Sequence, residues 1–342
     1  MKRIAAKVKK KIFSWLRITR MPVIKLYEGF GDEHGIKIYG HVFRLSPLPR
    51  KKFSANLLTN MLALLRLFII LPSANAIVRI EWNGESHETS TEHDGFFQYD
   101  WKPEQQPIPG WHTAKAIYLS SGNRTEIATA EAMIFIPHRY QYAFISDIDD
   151  TFLISHSTSL RKRLFVLLTK NAQSRKPFDD VVNHYKLLSR AGATEEIPNP
   201  FFYVSSSEWN LYDYIKEFCR KNEMPAGIFL LNQVRRLKDF WKTGQGKHSG
   251  KYVRIARIIN SFPNQKYILL GDDSQQDPEI YAAVIKSFPE KIFAVYLRRI
   301  APQREEAAKI LIHEMELAGV FCCHFTHSAE AIEHSRKIGL IG

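Results

Sequence analysis

Short apolar runs separated by turns give the chain two successive rhythms. From Ile36 to Pro137 the runs read as strands. Ile36-Lys37-Ile38-Tyr39 alternates, and Val42 to Leu45 continues the pattern. Ile77 to Trp82 is β-branched and ends in Asn83-Gly84, a hairpin signal. Phe96 to Tyr99 follows Asp94-Gly95, and Trp111–Leu119 and Ala128–Ile136 add two more strands. Pro103, Pro107 and Pro109 mark a loop. Short strands with regular turns over ~100 residues predict a small β-sandwich.

Near residue 140 the rhythm changes. Apolar runs at Tyr142–Ile145, Phe201–Val204, Gly227–Leu231, Tyr267–Leu270, Ile292–Leu297 and Val320–Cys323 alternate with helical stretches near 208–220, 250–262, 277–287, 302–317 and 328–338. That alternation predicts an α/β domain, a parallel sheet with helices on both faces. Its ligands sit beyond the C-terminal strand ends. The expected division is a basic amphipathic tail over 1–24, a β-sandwich-like domain over 25–140 and the α/β domain over 141–342.

Composition narrows the class. With 342 residues, 45% hydrophobic and 24% charged, the chain has the length for two cores. The balance argues against a disordered, collagen-like or multi-span membrane protein. Cys219, Cys322 and Cys323 form no C-x-x-C, which argues against zinc and against a disulfide scaffold. Reduced cytoplasmic thiols are expected.

Charge is unevenly placed. Lys and Arg exceed Asp and Glu by 48 − 35 = +13, and residues 1–66 hold fifteen basic and three acidic side chains, 15 − 3 = +12. Such a segment is either a solvated tail or seeks a membrane or nucleic acid. Ile4, Val8, Ile12, Phe13, Leu16 and Ile18 share one face of a helix with Trp15 at its edge, the pattern of an interfacial basic helix. Lys7, Lys9, Lys10 and Lys11 break any secretory apolar core. The apolar stretch Leu57–Leu71, interrupted by Arg66 and closed by Pro72, falls short of the ~20 residues of a span. It is expected to be a buried or surface-lying helix, and no segment reads as transmembrane.

Two strand ends carry acids. The first runs into Ser146-Asp147-Ile148-Asp149-Asp150-Thr151. Three carboxylates in four positions repel one another, and a bound cation is the usual reason to gather them. A polar turn with Asp150 or Thr151 capping a helix is the bland alternative. The second strand runs into Gly271-Asp272-Asp273, with Asp277-Pro278 beyond. Asp272, Asp273 and Asp277 could complete an oxygen-rich Mg²⁺ site with the first cluster. Asp277 also suits a helix N-cap with proline at the first helical position. The strand Phe201–Val204 ends in Ser205-Ser206-Ser207, where a hydroxyl and backbone N–H groups can hold a phosphate oxygen. Lys251, before a helical run, can neutralise phosphoryl oxygens and the acids.

Taken in order, D-x-D-x-T, then serine, then lysine, then G-D-D resemble the haloacid dehalogenase phosphohydrolase superfamily. The stretches ISDIDDT, NPFFYVSSSEWNLYDYIKEF and FPNQKYILLGDDSQQDPEIYAAVIKSFP resemble the catalytic domain of actin-patch-type phosphatidate phosphatases, relatives of the lipins, over about residues 141–325. Upstream, LYEGFG and TEHDGFFQYDW resemble the N-terminal part of bacterial members. The resemblance implies a Rossmann-like haloacid dehalogenase fold with a small cap insertion at about 155–198. It implies a Mg²⁺-dependent phosphatidate phosphatase working through a phospho-aspartyl intermediate. Asp147 then matches the nucleophile, Asp149 the general acid, Ser205 the phosphate-binding hydroxyl and Lys251 the motif lysine. Asp272 matches a Mg²⁺ ligand, joined by Asp147, the Asp149 carbonyl and Asp277. Asp273 stands where the family has a small residue, and Glu208 where it has proline.

The insertion bears on substrate. Ser155 to Phe178 carries Arg161, Lys162, Arg163, Lys170, Arg175 and Lys176 without an acid, interleaved with Leu160, Leu164, Phe165, Leu167 and Leu168. A cationic apolar helix suits a lipid phosphate on an anionic membrane, and leucines packed on a core are the alternative. Arg235, Arg236, Lys238, Lys242 and Lys247 form a second basic stretch. Peripheral membrane association from the cytoplasm is the expectation. A non-catalytic phosphatidate-binding module, or a phosphatase for nucleic-acid ends or phosphoproteins, remains as an alternative. No RNP-like aromatic motif or helix-turn-helix supports a nucleic-acid partner, and nothing in the sequence identifies a protein partner.

Overall fold

The computed structural model describes residues 18–19, 21–47, 66–138, 141–148, 180–193, 197–234 and 247–342. Expectations for Met1 to Arg17, for Asp149 to Phe178 and for Arg235 to Lys242 lie outside the described residues, and so does most of Leu57–Leu71; within the span read as a helical tail, Ile18–Thr19 and Val23–Leu26 are strands instead.

The N-terminal half is built from strands β1 (Ile18–Thr19), β2 (Val23–Leu26), β3 (Gly29–Asp32), β4 (Gly35–Pro47) and β5 (Leu71–Pro72). It continues through β6 (Ile77–Trp82), β7 (Glu85–Ser90), β8 (Phe96–Trp101), β9 (Gly110–Leu119) and β10 (Glu126–Ile136). All ten join one hydrogen-bonded network, ordered β1-β4-β3-β10-β9-β6-β7, with β2, β5 and β8 also paired to β4. Among the described residues of this sheet only β3 and β10 pair in parallel. Asn83 and Gly84 both take positive φ, 51° and 83°, which turns β6 tightly into β7. One apolar cluster includes Ile36, Ile38, Val42, Val78, Ile80, Trp82, Phe97 and Trp101, the inward positions of strands whose neighbours face out.

The second half begins with β11 (Tyr142–Asp147) and α1 (Val181–Ser189), then β12 (Phe201–Glu208), α2 (Tyr212–Lys221) and β13 (Gly227–Asn232). It goes on with α3 (Lys247–Ser261), β14 (Lys266–Asp272), α4 (Asp277–Ser287), β15 (Ile292–Arg298), α5 (Glu305–Leu317), β16 (Phe321–Phe325) and α6 (Ser328–Lys337). The six strands are parallel throughout, in the order β13-β12-β11-β14-β15-β16. They read as near-continuous apolar runs because both faces are covered. The chain first steps from β11 outward to β12 and β13, then returns to β14 on the other side of β11. Right-handed crossovers therefore send the connections of β11 and β14 to opposite faces. The packing agrees: α3 lies on α4 and α4 on α5, while α1 lies on α6. The crevice that this topology calls for falls between the C-terminal ends of β11 and β14.

The helix Val181–Ser189 falls within the span read as an insertion, yet it packs on the sheet. Val181, His184, Tyr185 and Leu188 are buried, and the Tyr185 hydroxyl meets Ser146 Oγ at 2.8 Å. The strand expected to end at Val204 also runs further than its apolar run suggests. Strand β12 continues through Ser205, Ser206 and Ser207 to Glu208, a 3₁₀ turn spans Trp209–Leu211, and α2 begins only at Tyr212. Among the described residues no helix is long and apolar enough to cross a membrane.

Candidate active site

Asp147 is the last residue of β11 and Asp272 the last of β14, neighbouring strands in register as far as Ser146 opposite Leu270. The sheet itself thus delivers two carboxylates to the crevice. Asp277, the first residue of α4, comes in from the loop beyond β14. All three are buried, and one oxygen of each lies within 4.8 Å of the others. Lys251 reaches the same point from α3: its Nζ lies 3.0 Å from Asp147 Oδ1 and is bonded to Asp277 Oδ1.

Local chemistry explains the approach of Asp277. Its Oδ2 accepts from the Asp272 backbone N–H at 3.4 Å. A Cβ on residue 271 would run into the Asp277 carboxylate and the Tyr281 hydroxyl, so glycine there keeps the path open. Tyr281 donates to the Leu270 carbonyl at 3.0 Å. Burial raises its hydroxyl pKa well above the usual value, and Asp277, Asp147 and Asp272 push the same way. Asp277 is not the helix cap that its Asp-Pro sequence suggests. The cap position is Gln276, and proline follows Asp277 inside the helix. The Asp277 side chain is engaged with Lys251 and the Asp272 amide instead.

Asp273 points elsewhere. Its Oδ1 accepts from the N–H groups of Ile300 and Ala301 at 2.7 and 2.9 Å, and its Oδ2 lies 3.1 Å from His324 Nε2. Burial alone would raise its pKa, but His324 and the two amides outweigh it and hold the carboxyl below its ordinary range. Asp273 therefore ties β14 to the loop after β15 and to β16, and the site is built from Asp147, Asp272 and Asp277.

Ser205 sits one residue past Val204, which is paired with Asp147, so it borders the crevice on the β12 side. The Ser205 hydroxyl accepts from the Ser207 N–H at 2.9 Å. Arg254, three residues along α3 from Lys251, donates to the Ser205 carbonyl at 3.2 Å. Sequence reading passed over Arg254, although the i, i+3 spacing puts it on the Lys251 side of the helix. It also passed over Arg298, the register partner of Asp272, which is buried and donates to Thr326 O and Ser328 Oγ. Asp149 lies outside the described residues.

Three buried carboxylates face one another with Lys251 among them, and such a set is costly unless positive charge shares it. The donors are all oxygens, which suits a hard divalent cation such as Mg²⁺. Asp147, Asp272 and Asp277 would hold it.

The resemblance seen in the motifs holds over the second half of the chain. Residues 142–299 match the family described as "Phosphatidate phosphatase APP1, catalytic domain". Phosphatidate phosphatase APP1 of Saccharomyces cerevisiae is 31% identical over 160 residues, which is 46% of this chain and 26% of that protein. An uncharacterized protein of Schizosaccharomyces pombe is 23% identical over 220 residues, 62% of this chain and 34% of the relative. The match thus spans between a quarter and about a third of each relative's length. Among solved structures, a carbohydrate acetylesterase from Xanthomonas citri aligns with 92% of this chain and 74% of its own at 8% identity, with a TM-score of 0.34.

Proposed function

We propose that the chain is a Mg²⁺-dependent phosphatidate phosphatase of the haloacid dehalogenase fold, acting on a lipid phosphate at a membrane surface. The observation that carries this reading is the meeting of Asp147, Asp272 and Asp277 around Lys251 at the mouth of a parallel sheet. The match of residues 142–299 to a phosphatidate phosphatase catalytic domain supports phosphatidate as the substrate class.

Asp147 attacks phosphorus and the bond to the lipid oxygen breaks, leaving a phospho-aspartyl group. Asp149, two residues on, is assigned the proton for the departing alkoxide; it then takes one from the water that attacks phosphorus, the bond to Asp147 breaks, and phosphate leaves with the Asp147 carboxylate restored. Lys251 steadies Asp147 for attack and offsets charge on the phosphoryl oxygens. Ser205 and the amides beside it hold the phosphate. When bound, Mg²⁺ would supply positive charge for the carboxylates and the phosphoryl group. The basic segments over Ser155–Phe178 and Arg235–Lys247 supply cations for the headgroup, and the N-terminal tail for the membrane.

Phosphate release from phosphatidate vesicles in MgCl₂ tests the reading, with soluble phosphomonoesters alongside. The wild type is expected to hydrolyse the vesicles and Asp147→Asn to release nothing measurable. Activity on soluble esters without activity on vesicles would remove the lipid part; activity on neither would remove the enzyme.

A further inference from the structure

A seam of buried aromatic and polar contacts joins the N-terminal sheet to the elements that bear the site. Tyr27 lies flat on Trp209, with ring centroids 4.1 Å apart and planes at 20°. Its hydroxyl meets His41 Nδ1 at 3.1 Å. Glu28 is buried, and its carboxylate accepts from the Tyr212 hydroxyl and the Lys216 ammonium. Asn210 donates to the Leu67 carbonyl at 2.9 Å. Phe30 packs edge-on against Phe202 at 5.3 Å and lies 5.7 Å from Phe262.

The partners of this seam are elements that carry site residues. Phe202 lies on β12, three residues before Ser205. Trp209 and Asn210 form the turn directly after the serines and Glu208. Phe262 follows the last residue of α3, the helix of Lys251 and Arg254. A buried carboxylate is tolerated only where donors meet it, so Glu28 fixes the start of α2 at one place on the sheet. The Tyr27–Trp209 stack then sets the angle of the turn. A phosphate-binding strand end needs such support, because its N–H groups and hydroxyl must be aimed before the ligand arrives.

We propose that Tyr27 and Glu28 are positioning residues: through Trp209 and Tyr212 they hold the Ser205–Glu208 strand end in the geometry that receives phosphate. The proposal deepens the phosphatase reading and rests on it for its kinetic arm; its structural arm stands alone. The test compares wild type with Glu28→Leu, Glu28→Gln and Tyr212→Phe by amide hydrogen exchange and by inhibition with inorganic phosphate. Glu28→Leu is expected to speed exchange at residues 205–211 by ~10-fold or more and leave residues 266–272 unchanged. Its inhibition constant for phosphate rises ~10-fold and kcat/KM falls ~10–100-fold. Glu28→Gln keeps an acceptor oxygen and restores most of both. Tyr212→Phe removes one hydrogen bond and keeps the ring, so it serves where Glu28→Leu does not fold. Unchanged exchange at 205–211 overturns the proposal, and so does acceleration that spreads equally to 266–272. A wild type that releases no phosphate overturns the phosphatase reading instead, and the exchange result still decides the role of Glu28.

Discussion

The two sheets bury ionisable groups in opposite ways. In the parallel sheet Asp147, Asp272, Asp277 and Lys251 gather at one end, where the connections of β11 and β14 leave on opposite faces. In the N-terminal sheet the interior is apolar, and Glu28 and His41 lie at its seam with the other half. Antiparallel strands joined by hairpins turn straight back at their ends, without the diverging connections that open a crevice in a parallel sheet. Parallel strands that diverge leave one open. Glu28 in the first sheet serves attachment, as Asp273 does in the second, whereas Asp147, Asp272, Asp277 and Lys251 converge on one point.

That contrast can be broken first at Lys251. Lys251→Met leaves Asp147 and Asp277 buried without their shared cation, which should cost about 3–5 kcal/mol. Urea unfolding of the metal-free protein checks it; a loss under 1 kcal/mol would mean that the acids need no internal counter-charge. Added MgCl₂ should restore part of the loss.

Acid should weaken both halves alike. His41 in the first and His184 in the second are pushed down to about 3, in each case chiefly by burial, with Lys25 acting on His41 and Arg298 and His334 on His184. Below pH 6.5 the unfolded chain takes up protons that these folded imidazoles refuse, so stability falls as pH drops from about 6.5 toward 3. One unit within that window costs about 1.4 kcal/mol per histidine, about 3 kcal/mol for the pair. His41→Gln and His184→Gln should each lower the slope of unfolding free energy against pH by about 1.4 kcal/mol per unit within that window.

Adjacent acids sharpen the comparison further. Asp273→Asn keeps one acceptor for the Ile300 and Ala301 amides but loses its charge toward His324, at a cost of about 1–2 kcal/mol. Phosphate release should stay within ~10-fold of wild type, whereas Asp272→Asn should lose it. Equal losses for the two variants would contradict the separation of roles. Least of all, Lys186→Ala removes an exposed contact with Glu223 and should leave the unfolding curve where it was.

Legibility followed burial. Tyr142–Asp147 and Lys266–Asp272 stood out because strands covered on both faces are continuously apolar until acids end them. Glu85–Ser90 has no such mark: it is a polar strand held by pairing with β6. The helix of Tyr185 was hidden inside a span read as insertion, since its partners Ser146 and Ser335 lie far along the chain. Ser205, Lys251, Asp272 and Asp147 could be singled out from motif order, but the direction of a side chain could not. Asp273 turned away from the acid beside it to Ile300, Ala301 and His324, and of the two readings of Asp277 its side chain follows the ligand reading, not the cap. The docking of Glu28 on Tyr212 joins residues 184 apart and leaves no local signal.

Transfer of phosphorus from a lipid to Asp147 is the central step proposed. Brief reaction with phosphatidate labelled in its phosphate, acid quenching and peptide mapping test that directly. Label is expected on the peptide carrying Asp147 and absent from Asp147→Asn. Label on another peptide, or turnover by Asp147→Asn at the wild-type rate, would contradict the account.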